Sequence, residues 1–322
     1  MPKTGFFLSF AAILFAAAVL TAPARAQAPN GPPRVAVTIK PLHSLVAAVM
    51  EGVAVPALLV PAGDSPHTHT VRPSEARVIE DADLVFWIGA MLETSYAKPI
   101  RALARGEIVT LTEAPGIELL PVRAAGIAPH AHEHDEAADH GEKPAGIAAD
   151  PHIWLDPVNA KAIVAAAAQA LIAVDPQNAE AYQANAARTQ TRLDELDAQI
   201  KAEVAPVRDI PFLTYHDAYR YFEQRYGLNN AGAITISPEQ QPGVRRLRAL
   251  RQLIVEGGVV CVFTEPQFEP ALAKTLVAGT EARIGTLDPE SRPELPSGPD
   301  FYFGLMRGLA KDLRDCLAGS GG

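Results

Sequence analysis

Asp175 to Val204, DPQNAEAYQANAARTQTRLDELDAQIKAEV, contains no glycine, and no proline after Pro176. Asp175-Pro176 is a helix start signal, an acid followed by proline at the first helical position. Leu193, Leu196 and Ile200 recur at helical spacing, while Arg188, Arg192, Asp194, Glu195, Asp197 and Lys201 supply a polar face. A helix over residues 177–204 is about 40 Å long at 1.5 Å per residue, enough to run along two lobes. Just upstream, Asp156-Pro157 opens another helix into the alanine-rich stretch Ala160 to Val174. Residues 157–205 therefore read as a rigid helical connector that restricts hinge motion. Coiled-coil assembly is the competing reading, weakened by a short, alanine-heavy stripe.

On either side of this connector the pattern changes. Short apolar, β-branched runs at Val35–Ile39, Val55–Val60, Leu84–Ile88 and Ile108–Leu111 alternate with helical patterns, and the same alternation returns at Phe212–Tyr215, Ala233–Ile236, Val259–Phe263 and Ala282–Thr286. Strands separated by helices imply parallel sheets covered on both faces. The fold class is thus α/β: an N-terminal lobe over residues 27–156, a C-terminal lobe over 206–322, mostly parallel sheets, and a long helix joining them. Two lobes also suit a chain of this length, which exceeds the size at which one core is usual. Phe301, Leu305, Leu309, Leu313 and Cys316 form one face of a closing helix that should pack on the second lobe.

Lys3, the apolar run Phe6–Leu20 and the small residues ending in Ala24-Arg25-Ala26 have the layout of a cleavable secretory signal, residues 1–26, cut after Ala26. The run is shorter than the roughly 20 residues needed to span a bilayer, and no cysteine follows it for lipid attachment. No segment after Leu20 reads as a membrane span. Cleavage removes Lys3 and Arg25 and no acid, so the charge of −9 falls by two to −11. An acidic chain without a strong basic cluster has little to offer phosphate backbones, which excludes nucleic acid as a natural partner. The two cysteines, Cys261 and Cys316, read as a disulfide in an oxidising compartment, ahead of a metal site or a catalytic thiol.

The nine histidines carry the chemistry. His67 follows the strand at Val55–Val60, His216 directly follows Phe212–Tyr215, and His152 precedes a helix in Asp150-Pro151-His152-Ile153-Trp154-Leu155-Asp156-Pro157. Ligands of open α/β sheets bind at the carboxyl ends of strands, so two facing lobes bring these three into the cleft. Imidazole suits borderline-soft divalent ions, and zinc asks for about four tetrahedral ligands. Asp288, at the end of Arg283-Ile284-Gly285-Thr286-Leu287, is a fourth candidate; His69 and water remain alternatives. Such a set favours Zn2+ over calcium or magnesium, which prefer oxygen donors. His43, after Pro41 in the first helix, reads as structural or gate-lining. Residues 116–150 read as a mobile loop with weaker metal affinity through His130, His132, His134 and His140.

The chain resembles the zinc-binding components of bacterial high-affinity zinc ABC importers, the ZnuA-type members of the cluster A-I solute-binding proteins. The resemblance rests on Thr38-Ile39-Lys40-Pro41-Leu42-His43-Ser44-Leu45, Ser65-Pro66-His67, Arg72-Pro73-Ser74, Ala82-Asp83-Leu84-Val85, the His-rich insertion, Pro151 to Pro157, Tyr215-His216-Asp217-Ala218-Tyr219, Glu265-Pro266-Gln267-Phe268 and Gly285-Thr286-Leu287-Asp288. It implies metal ligands at His67, His152, His216 and Asp288. Pro66 stands where some relatives carry a glutamate ligand, which strengthens Asp288, and His216 stands where manganese-binding relatives tend to carry glutamate. It also implies a disulfide near the C-terminus, a periplasmic monomer, a membrane permease with a cytoplasmic ATPase as partner, and limited lobe closure.

A zinc hydrolase is the rival from another class, since three histidines and an open position activate bound water. Glu265 is an available acid, but no His-Glu-x-x-His signature occurs. A metal-dependent adhesin shares the scaffold and is disfavoured by the missing lipidation cysteine. Deleting residues 129–140 should lower zinc stoichiometry in equilibrium dialysis while keeping one tight site; loss of the tight site would mean that the loop supplies primary ligands.

Overall fold

The structure is a computed structural model that describes residues 1, 31–123, 149–236, 238 and 241–319. Residues 2–26 of the expected signal sequence and the loop histidines His130, His132, His134 and His140 lie outside the described residues.

The first half runs β1 (Val35–Val37), α1 (Lys40–Val49), β2 (Ala57–Leu58), α2 (Pro73–Asp81), β3 (Leu84–Trp87), α3 (Thr94–Leu103) and β4 (Glu107–Thr110). Every pairing is parallel, in the order β2-β1-β3-β4. The connector follows as α4 (Pro157–Val174) and α5 (Ala179–Val204). The second half is β5 (Phe212–His216), α6 (Arg220–Tyr226), β6 (Asn230–Thr235), α7 (Val244–Glu256), β7 (Cys261–Thr264), α8 (Ala271–Val277), β8 (Arg283–Thr286) and α9 (Phe301–Ala318). Its sheet is again all parallel, in the matching order β6-β5-β7-β8. The expected α/β class and all eight strands are present, with ends shifted by a few residues.

Asp156 caps α4 by accepting from the Val158 amide at 2.8 Å, with Pro157 behind it. The fully buried residues of α5 include the expected Leu193, Leu196 and Ile200, extended by Tyr182, Thr189 and Val204. Single 3₁₀ turns at 176–178 and 205–207 flank it. α5 holds both lobes. Asn185 Nδ2 donates to the carbonyls of Val49 and Glu51 in the first, and Arg192 lies 3.9 Å over the Phe303 ring beside its ion pair with Asp300. Its partners α4, α1 and α9 belong to the same chain, which accounts for the alanine stripe without a coiled coil.

Three expectations need correction. α9 packs not only on β8 but also on α5 and α1, where the Tyr302 amide donates to Ser44 Oγ at 2.9 Å. Its apolar face is wide enough to serve both lobes, because Tyr302, Phe303, Met306 and Ala310 are buried beside Phe301, Leu305, Leu309 and Leu313. α4, with mean hydropathy 1.5 over 18 residues, is long and apolar enough to cross a membrane, against the expectation that no such segment follows Leu20; half of it is buried inside this fold. The ends of segment 116–150 are structured: Pro121 and Ala149 form an antiparallel bridge, and the Asp150 amide donates to the Leu120 carbonyl.

One hydrophobic core runs from the first sheet through α1, α4, α5 and α9 to the inner face of the second sheet. Strand residues alternate between faces. Phe212, Cys261 and Phe263 join that shared core, whereas Leu213, Tyr215 and Val262 join a smaller one under α7 and α8. Cys261 and Cys316 form a disulfide that ties β7 to α9, with Cα atoms 6.3 Å apart. The approach requires Gly285, where a Cβ would stand 2.6 Å from the Phe263 ring and 3.1 Å from Cys316 Sγ. Closing a loop of 55 residues stabilises the fold by up to about 4 kcal/mol through the unfolded chain. The double substitution Cys261→Ser, Cys316→Ser should therefore lower the unfolding free energy of the metal-free protein by about 2–4 kcal/mol in urea, and an unchanged midpoint would contradict this account.

Candidate metal centre

Three segments bring one histidine each to the cleft. The chain leaving β2 pairs briefly with β1, Leu59 with Val37 and Val60 with Thr38, then turns at residues 64–69. His69 pins that turn. Its Nδ1 faces Asp64 Oδ2 at 3.1 Å and its Nε2 faces Glu75 Oε2 at 3.0 Å, so both ring nitrogens are engaged away from the cleft. His67 is thereby left to project inward. His152 opens a 3₁₀ turn just before α4, and His216 is the last residue of β5. His43 is buried, with Nε2 2.9 Å from the Pro56 carbonyl, and does not reach this group.

His67 Nε2 and His216 Nε2 lie 3.2 Å and 3.4 Å from His152 Nε2. Donor atoms of the three rings all fall within 4.8 Å of one another. Nitrogens about 2.0–2.1 Å from a tetrahedral zinc ion stand about 3.3–3.4 Å apart, so the spacing matches one edge of a zinc tetrahedron. Between these rings and Trp154, Glu265, Gln267, Phe268, Pro289 and Glu290 lies a cavity of about 10 Å³. That is the space of one ion, or at most one water.

Carboxylates set the tautomers. Asp150 Oδ1 accepts the His152 amide at 2.9 Å and faces Nδ1 at 2.8 Å, while Glu265 Oε1 faces His216 Nδ1 at 2.7 Å. Each acid draws the proton to Nδ1 and leaves the Nε2 lone pair aimed at the common point. Lone pairs facing each other at 3.4 Å in a buried site repel unless a cation lies between them.

Burial and the other two imidazoles push His67 down to about 2, and burial puts His152 well below the usual histidine value. His216 is raised: burial opposes its charge, but the Glu265 carboxylate outweighs it. Burial lifts Asp150 to about 7. Two of the three rings thus favour the neutral form that binds an ion, and the Glu265 carboxylate makes His216 the ring that holds a second proton most readily.

Asp288 is placed differently from the expectation. It is not in the three-histidine group, and its oxygens accept from Gln267 Nε2, Ser291 Oγ and the amides of Glu290, Ser291 and Arg292 at 2.7–3.0 Å. Burial alone would raise this carboxyl, but those donors hold it below its usual range. Asp288 organises the loop 288–292 in the manner of a turn cap. Glu290, on that loop, is buried at the cavity wall, and burial with the carboxylates of Asp288, Glu93 and Glu265 pushes it well above the usual range.

The orienting acids escaped the sequence reading for different reasons. Asp150 stands two residues before His152, a local signal that was available. Glu265 meets His216 only because β7 pairs with β5, which spacing along the chain does not reveal. Asp150→Asn and Glu265→Gln should each weaken zinc binding by roughly 10–100-fold in a chelator competition while leaving the fold intact by circular dichroism. Wild-type affinity in both would contradict the orienting role.

A family model described as zinc-uptake complex component A, periplasmic, ZnuA, matches residues 35–316. A high-affinity zinc uptake system protein ZnuA of Brucella suis is 41% identical, the match covering 88% of this chain and 91% of that protein. One of the same description from Paracoccus denitrificans is 36% identical, covering 95% and 97%. A solved structure described as the crystal structure of ZnuA superposes with a TM-score of 0.73 at 23% identity, covering 89% of this chain and 99% of that one, a likeness that speaks to the fold. On these matches the chain belongs to the periplasmic zinc-uptake complex component A family.

Proposed function

We propose that this chain is the periplasmic component that captures zinc for a high-affinity zinc ABC importer, binding the ion through His67, His152 and His216 and passing it to a membrane permease driven by a cytoplasmic ATPase. The observation that carries this reading is the convergence of three imidazoles, with His67 and His216 each about a tetrahedral edge from His152 and two of the rings oriented by carboxylates. Family membership and relatives described as zinc uptake proteins support the same cargo. All-nitrogen donation from the three histidines favours zinc over manganese, calcium or magnesium. In this reading residues 1–26 direct export and are removed, residues 27–156 and 206–322 form the lobes, residues 157–205 connect them, and the protein works as a monomer. The loop histidines His130, His132, His134 and His140 then serve as weaker, secondary sites. Catalysis has no place in the scheme, because the family is one of periplasmic zinc-uptake components.

Single substitutions His67→Ala, His152→Ala and His216→Ala should each weaken the tight site by orders of magnitude in a zinc titration of the mature, metal-stripped protein. Retention of tight binding in all three would sink the assignment. The pH dependence follows from the charges around the cavity. His67 and His152 favour the neutral form, so the protons that compete with zinc are those favoured on His216 and on the acids of the cavity wall, Asp150 and Glu290, whose pKa values are raised. Affinity should be full at high pH and fall as the pH drops through those raised values, by at least about tenfold per pH unit. A flat profile would contradict this picture.

A further inference from the structure

We propose that Glu290, rather than Asp288, supplies the carboxylate that completes the zinc shell, with Asp288 serving as the anchor of the loop that presents it. The inference rests on the three-histidine site above.

Asp288 is committed elsewhere. Five donors already use its two oxygens, and three of them are consecutive backbone amides, those of Glu290, Ser291 and Arg292. A carboxylate has about four lone-pair sites, so turning Asp288 onto an ion strips those buried amides of their acceptor. Glu265 is committed too, to His216 Nδ1.

Glu290 is in the opposite condition. It is 8% exposed and lines the same cavity as His67, His152 and His216, and no hydrogen bond reaches its carboxylate among the described residues. The charged groups that bear on it are the carboxylates of Asp288, Glu93 and Glu265, all of its own sign. A buried carboxylate among like charges is costly unless a cation or a proton joins it. The cation whose place this cavity defines is the one the three imidazoles would hold. One carboxylate beside three neutral rings leaves a 2+ ion with a local charge of about +1, and no buried acid is left facing only acids.

The loop is fixed from both lobes. The Lys40 ammonium, on α1, donates to the carbonyls of Ser291 at 2.9 Å and Leu295 at 3.0 Å, and Trp154 Nε1 donates to that of Pro289 at 2.9 Å. Arg292 is held at φ 28°, a left-handed conformation uncommon for a residue with a side chain, by its amide bond to Asp288 and its ion pair with Asp312. These contacts set the backbone of Glu290 at the cavity wall. Its carboxylate lies outside the 4.8 Å group of ring nitrogens, so loading requires it to turn inward toward them.

The test compares Glu290→Gln, Glu290→Asp, Asp288→Asn and His152→Ala in the full mature chain, by zinc competition titration and by the visible spectrum of the Co2+-loaded protein. Glu290→Gln should leave the melting temperature of the metal-free protein unchanged or higher. It should weaken zinc by more than the roughly 10–100-fold that loss of an orienting group costs, and it should shift the cobalt bands. Glu290→Asp should restore part of the affinity. Asp288→Asn should lower the metal-free melting temperature yet give wild-type cobalt bands once loaded. If His152→Ala loses tight binding while Glu290→Gln keeps wild-type affinity and bands, the zinc site stands and the Glu290 assignment is overturned. Shifted bands in Asp288→Asn with none in Glu290→Gln return the role to Asp288. Wild-type binding by His152→Ala overturns the histidine site and this inference together.

Discussion

A single hydrophobic core that passes through both lobes is the constraint on which the site depends. Phe212 and Phe263 of the second sheet pack in the same cluster as Val37 and Phe86 of the first, with α4, α5 and α9 between them. Close-packed interiors resist displacement, because each small movement loses contacts throughout the cluster. Three rings drawn from residues 67, 152 and 216 can therefore hold nitrogen spacings near 3.3 Å without an ion to gather them. A preformed site spends little of its binding free energy on ordering.

Electrostatics completes what packing starts. The cleft is rich in buried acids, with Asp150, Glu265, Asp288 and Glu290 on or behind its wall and Asp217 and Glu223 balanced by Arg123. Two of these acids orient imidazoles and one caps a turn, so their charge is spent on geometry. The charge that remains unmatched faces the cavity, where a divalent cation answers it. Burial would be ruinous for such a collection without that cation or protons in its stead.

The same contacts bear on release. Lys40 bonds to the carbonyls of the 288–295 loop from the first lobe, and Trp154 holds the Pro289 carbonyl while its own carbonyl accepts from Tyr302. Separating His216 from His67 and His152 by opening the lobes has to break these buried bonds, and α5 ties the lobes at both ends. A membrane partner that extracts zinc thus works against a clamp built from a few specific hydrogen bonds rather than against a free hinge.

Periodicity alone determined the two β/α halves, the helical connector and the apolar face of α9, since each follows from local spacing of apolar residues and from caps such as Asp156-Pro157. The placement of His67, His152 and His216 at strand ends or a helix start was equally legible, because ligand positions in parallel sheets follow topology. What lies across the cleft was not. Whether α9 serves one lobe or two, that Glu265 meets His216, and that Asp288 turns back on its own loop while Glu290 faces the cavity are decided by strand order and by competition among hydrogen-bond donors. An acid two residues from another looks the same in the chain. Only the folded backbone decides which one its amides claim, leaving the other for the ion.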